Sequence, residues 1–235
     1  MKILKIAGGV LAALVVLALV VGMMMPSGWK VERSIVVAAQ PEQLVPLIAT
    51  PKRWNSWAAW NNEADPEATW LYFGGETGPG AKMAWRGPKM GQGLLEITSA
   101  TTSQVTYQME MEGELTLDGE NTKMEGGSPA KGTFALTAEG EGTRVTWTDA
   151  GDMGANPLMR LFVPMLEKML GAHFEQGLAN LQREGQKAQA VADQKARELE
   201  GALRANAAAE AAMKGALEAA GMPAAPAPVA APAAP

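Results

Sequence analysis

The residue whose spacing best suits proton transfer is Asp149, which continues the alternation set by Val145 and Trp147. On that parity it points inward near a strand end, where partial burial would raise its pKa toward neutrality. The competing reading is a cap or turn residue before Gly151-Asp152, the commoner use of Asp. Glu110, Glu112 and Glu114 share the opposite, polar face of their segment and read as solvated. The chain has no Cys and one His, His173, which removes disulfides, thiolate metal sites and a cysteine nucleophile and leaves no zinc cluster. His173 follows Gly171 in an apolar-periodic segment and reads as a surface or boundary histidine. A serine triad would need it as the base. Gly126-Gly127-Ser128-Pro129-Ala130 approaches a nucleophile elbow but lacks the final Gly and a strand-to-helix setting. Gly75 to Lys82 fails as a phosphate loop, since its Lys is displaced and no Ser or Thr follows. No catalytic set emerges, and no metal or cofactor is expected.

Apolar residues carry more information. Met83, Trp85, Tyr107, Met109, Met111, Phe134, Leu136, Trp147, Phe162, Met165 and Met169 fall on inferred inner faces. Thioethers and aromatic rings adapt to irregular apolar shapes, so this set is either a ligand-binding surface or a filled core. Trp54, Trp57 and Trp60 recur at every third position. They suit a cavity rim, a membrane surface or the locking of a loop.

The elements that must position these residues are legible from periodicity. Val105 to Asp118 alternates strictly between apolar and polar residues, the pattern of a strand half buried in an antiparallel sheet. Shorter alternations around Met83/Trp85, Leu95/Ile97, Phe134/Leu136 and Val145/Trp147 are separated by Gly-rich breaks, predicting a meander. Pro41 to Ile48 reads as a short helix. After Asn156-Pro157, an N-cap and first-position pair, helical spacing runs from Leu158 through Leu181. Pro164 should kink or locally loosen this helix, and Gly171 and Gly177 should weaken it. A sheet with one apolar face and one long apolar-faced helix belong together, giving an α+β domain.

At the N-terminus, Ile6 to Met25 carries no charge, and about 20 residues at about 1.5 Å rise would cross a hydrocarbon core. The expectation is an uncleaved transmembrane anchor over residues 1–26. Lys2 and Lys5 place the N-terminus in the cytoplasm and the remainder in an extracytoplasmic or periplasmic space, although Lys30 and Arg33 oppose that bias. A signal peptide is the rival, but Val21 to Pro26 offers no small-residue cleavage pattern. Residues 27–182 form the folded domain, 183–222 an Ala-rich charged helical extension, and 223–235 a Pro/Ala tail expected to be extended and disordered. Net charge −5, from 20 basic and 25 acidic residues, makes nucleic acid an unfavoured partner.

Pro41-Glu42-Gln43-Leu44, Trp54-Asn55-Ser56-Trp57, Gly78-Pro79-Gly80-Ala81-Lys82, Gly142-Thr143-Arg144-Val145-Thr146-Trp147 and Asn156-Pro157 through Phe162, in that order, resemble the SRPBCC superfamily. These are START-like, helix-grip proteins of the polyketide cyclase/dehydrase and lipid-transport type, including membrane-anchored bacterial members. The resemblance implies a curved antiparallel sheet gripping a long C-terminal helix, with an apolar cavity between them. The Gly-rich, polar stretch Asp118 to Ala130 exceeds the hairpin usual there. The leading expectation is a membrane-tethered binder of a hydrophobic small molecule or lipid. The alternatives are a cyclase/dehydratase-like enzyme and a non-catalytic envelope protein that reaches a protein partner through its Ala/Pro-rich C-terminus.

Overall fold

The computed structural model of the chain describes residues 2–117, 120–124 and 128–220. The alternating segments become β1 (Gly28–Val37), β3 (Ala81–Gly87), β4 (Gly91–Ala100), β5 (Gln104–Leu117), β7 (Ser128–Glu139) and β8 (Gly142–Asp152), joined by β2 (Thr69–Gly74) and β6 (Glu120–Met124). They form an antiparallel curved sheet in the order β1-β8-β7-β5-β4-β3-β2, with β6 pairing on β5. β2 is an addition to the expected meander. Its alternation is masked because Trp70 and Tyr72 point one way while the equally apolar Leu71 and Phe73 stay exposed on the other. Register shifts at Ile97/Ser99 and Ser128/Lys131 add bends of the kind that curve a sheet.

Cover comes from α5 (Val163–Ala219), which buries Leu170, Phe174, Leu178 and Leu181. The glycines expected to weaken this helix are where neighbours approach it. A Cβ at Gly177 would lie 3.1 Å from the Trp147 ring, and one at Gly171 would lie 2.2 Å from the Arg33 guanidinium. The disruption expected around Pro164 takes the form of a break at Leu161 and Phe162, separating α4 (Pro157–Arg160) from α5. Pro164 is the second residue of α5, where no intrahelical donor is lost. Asn156 caps α4 as its sequence suggests, its side chain accepting from the Leu158 N–H at 3.0 Å.

The Trp triplet resolves by position. After α2 (Pro41–Ile48) and a 3-10 turn (Pro51–Arg53), α3 (Trp54–Trp57) buries both of its tryptophans. Trp54 Nε1 donates to the Ile48 carbonyl at 2.6 Å and Trp57 Nε1 to the Leu47 carbonyl at 3.0 Å. These bonds satisfy carbonyls that α2 leaves open at its C-terminus, so the two rings lock a loop as well as fill the core. Trp60 is half-buried against His173, with ring centroids 4.9 Å apart.

α1 (Lys2–Met24) contains Lys5–Met24, long and apolar enough to cross a membrane, a length and composition that a signal sequence shares. The fold through Gln189 is one compact unit and residues from Ala190 form a second. The described part of that second unit is the remainder of α5 and Ala220, with Leu199, Leu203 and Met213 exposed. The expected Pro/Ala tail at 223–235 lies outside the described residues.

Candidate functional site

Asp149 is fully buried within β8, which replaces the turn-or-cap reading. Strand register explains its company. Gly132 on β7 pairs with Tyr107 on β5 to one side and Asp149 on β8 to the other. With no side chain at Gly132, the Tyr107 ring lies flat across β7; a Cβ there would be 1.9 Å from Tyr107 Cζ. The Tyr107 hydroxyl thus reaches over the intervening strand and donates to Asp149 Oδ1 at 2.5 Å. Trp147 Nε1 donates to the Tyr107 hydroxyl at 2.8 Å and lies 3.3 Å from Asp149 Oδ1.

The second carboxylate oxygen, Asp149 Oδ2, is buried with no hydrogen-bond partner among the described residues. Burial pushes the Asp149 pKa up to about 7, against the opposing pull of the Tyr107 and Trp147 donors. Burial, and then the charge of Asp149, hold the Tyr107 phenol well above its ordinary value. The result is an interior acid that can hold or release a proton near neutral pH, beside a phenol that stays protonated, donating to the acid while accepting from Trp147. Tyr107→Phe should remove the stronger donor and raise the Asp149 pKa further, measured as an upward shift of its carboxyl titration by carbon NMR.

Around this acid the inner face grades from closed to open. At the α2 and α3 end, Trp54, Trp57, Phe134, Trp147 and Phe174 are fully or almost fully buried, and Trp147 stacks on Phe174 at 3.9 Å. One pleat beyond Tyr107 and Asp149 the same face carries Met109 and Gly151, which pair with Leu95 and Trp29. The Trp29 ring covers Gly151, leaving only 2.7 Å for a Cβ. Met109, Trp29, Tyr72, Trp70 and Trp85 are all half-buried. The rings of Trp70 and Trp85 lie 6.3 Å apart, and the buried Trp70 Nε1 has no acceptor among the described residues.

Of the residues proposed from sequence as ligand contacts, Trp85 and Met109 are half-buried at the open end, while Met83, Tyr107, Phe134, Leu136 and Trp147 are buried in the core. Met111, Met165 and Met169 are about half exposed, at 49%, 56% and 49%, which corrects the expected inward placement of Met165 and Met169. Met111 keeps the inner parity but lies where β5 runs beyond its cover. Met165 and Met169 each precede an inward residue, Leu166 and Leu170, by about 100° of helical rotation. Phe162 is half-buried in the turn before α5.

Trp29, Trp70 and Tyr72 were missed by sequence reasoning. Trp29 lies just past the apolar N-terminal helix, and β2 has two apolar faces. Glu110 is exposed as expected, whereas the side chains of Glu112, Glu114 and Ser128 lie outside the described residues, as do Gly126 and Gly127. His173 is half-buried, its pKa lowered by that burial and its Nδ1 without a partner. Among the described residues no group of His, Cys, Asp and Glu is placed to hold a metal.

TTHA0849 from Thermus thermophilus is 17% identical, covering 68% of this chain and 98% of its own, with a TM-score of 0.46. Protein CV1439 from Chromobacterium violaceum is 13% identical, covering 66% and 95%, with a TM-score of 0.44. No curated protein matches the chain. The profile of the family described as polyketide cyclase / dehydrase and lipid transport matches residues 28–186, from the first residue of β1 into α5. That match takes in every strand and the helix they grip, and the chain belongs to this family.

Proposed function

We propose that this protein is a membrane-tethered carrier that binds a hydrophobic small molecule or lipid between its sheet and α5. The supporting observation is the open end of the inner face, where Trp29, Trp70, Tyr72, Trp85 and Met109 are half-buried beside a tightly filled core. Covering about 300 Å² of such surface supplies about 7 kcal/mol before ordering costs are subtracted. The orphaned Trp70 N–H offers one hydrogen bond to orient a polar ligand group. α1 supplies the tether, holding the domain beside a reservoir of apolar molecules.

Full-length protein extracted from its own cells in mild detergent should carry a lipid-soluble molecule, seen by native mass spectrometry. Trp85→Ala should lower its occupancy several-fold. A wild-type protein that carries nothing, and whose melting temperature no fatty acid, phospholipid or polycyclic ligand changes, would end the carrier reading.

The buried acid favours a second reading, an enzyme of the cyclase/dehydratase kind in which Asp149 moves a proton on a bound hydrophobic substrate. Its test is Asp149→Asn. An enzyme loses turnover while keeping its ligand, whereas a carrier keeps all of its activity.

A further inference from the structure

We propose that α4 and the first turns of α5 are seated in the interfacial layer of the membrane that α1 spans, so that the domain rests on the bilayer instead of swinging from a flexible linker. This rests on the proposed membrane tether.

The junction between anchor and domain is short and tied down. α1 ends at Met24 and β1 starts at Gly28. Within that gap the Ser27 carbonyl accepts from the Met153 N–H at 2.9 Å, and Ser27 Oγ donates to Asp152 Oδ2 at 2.8 Å. Arg160 of α4 donates from Nη1 to the Met25 carbonyl at 3.3 Å. α4 also packs directly on the anchor: a Cβ at Gly22 would lie 2.1 Å from the Pro157 carbonyl oxygen. Gly22 lies within the apolar span, two residues before α1 ends, or about 3 Å along the helix axis. Pro157 is therefore held at the depth where that span leaves the hydrocarbon.

The composition around Pro157 fits that depth. Leu158 and Met165 are exposed at 43% and 56%, while Met159, Leu161 and Phe162 are half-buried. Next to them lies a cleft of about 380 Å³ lined by Lys30, Val31, Arg33, Pro164, Glu167 and Lys168. Lys30 and Arg33 pair with Glu32 and Glu175 at 2.9 and 2.6 Å. With Lys168 and Arg160, these cations border the apolar residues as phosphate headgroups border acyl chains. An apolar patch edged by Lys and Arg, beside a spanning helix, has the chemistry of an interfacial segment. Trp29, at the open end of the inner face, is two residues from Ser27, so this seating brings that end next to lipid.

The lack of native Cys makes site-specific labelling direct. Full-length Leu158→Cys, Met165→Cys, Leu14→Cys and Lys52→Cys variants carry a nitroxide in vesicles of phosphatidylcholine and phosphatidylglycerol. Each is tested for collision with oxygen and with a water-soluble nickel chelate. Leu14 reports the span, and Lys52, exposed in the 3-10 turn between α2 and α3, reports the surface of the folded domain. The expected result is oxygen-accessible, nickel-protected labels at 158 and 165, several-fold shifted from 52 toward 14. Labels at 158 and 165 that match 52 while 14 is in lipid overturn the seating and leave the tether standing. Aqueous behaviour at 14 as well removes tether and seating together. Two independent positions keep the test decisive should one variant fold poorly.

Discussion

Asp149→Asn should remove the loss of stability that the buried Asp149 carboxyl imposes on the wild type as pH rises from about 4 to 7. The acid's pKa rises from 3.8 in the unfolded chain to about 7 in the fold. Below both values the carboxyl is protonated in either state and folding is unaffected. As pH rises through 3.8 the unfolded chain ionises while the folded one stays neutral, so stability falls until the folded pKa is passed. That window corresponds to a loss of about 4 kcal/mol in the wild type, complete above about pH 8. Asn cannot ionise and escapes the loss. It still accepts from Tyr107, but it places an amide donor where Oδ2 has no partner, costing about 1 to 3 kcal/mol at every pH. The wild type should therefore be the more stable protein near pH 4, with the difference shrinking or reversing near pH 8. Carboxylates pulled the other way, Glu32, Glu139 and Asp152, give both proteins the same opposing slope and cancel in the difference. Urea unfolding of the two full-length proteins across this range checks it, and parallel curves would mean that Asp149 is not a desolvated carboxyl.

Gly132→Ala carries the second large effect. The new methyl would fall 1.9 to 2.4 Å from three atoms of the Tyr107 ring. β7 cannot yield, because it is paired on both edges, to β5 and β8. Nor can the ring lift freely, since Trp54 packs edge-on above it with centroids 5.2 Å apart. Overpacking plus the lost hydrogen bond to Asp149 should destabilise the protein by about 3 kcal/mol. If the clash with this ring is the cause, Gly132→Ala should be much milder in a Tyr107→Ala background. A double-mutant cycle by urea unfolding measures that coupling, and additive effects would refute the proposed geometry.

How much of this was readable in one dimension differs by element. The β5 alternation from Val105, the Asn156 cap and the apolar spacing of Leu170, Phe174 and Leu178 are local signals, each set by a period of two or 3.6 residues, and each reappears in the fold. β2 was hidden because Leu71 and Phe73 are as apolar as Trp70 and Tyr72, leaving no contrast to detect. Pro164 marked where the helical run is disturbed but not how, because a proline kinks a continuous helix yet costs no donor in the first turn after a break, and only the break at Leu161 tells which applies. Met165 and Met169 were assigned inward on hydrophobicity, which does not say where on the helix circumference the sheet makes contact.

The chain's order alone determined the fold class, the family resemblance, the apolar N-terminal segment and the absence of cysteine chemistry, because composition and periodicity act over short distances along the backbone. Tertiary structure decided the site. Tyr107, Gly132 and Asp149 come from three strands and are separated by up to 42 positions; only antiparallel register sets them side by side. The same holds for Gly22 and Pro157. Whether a glycine is a weak point or a contact, and whether an aspartate turns a loop or holds a proton, depends on which distant surface folds over it.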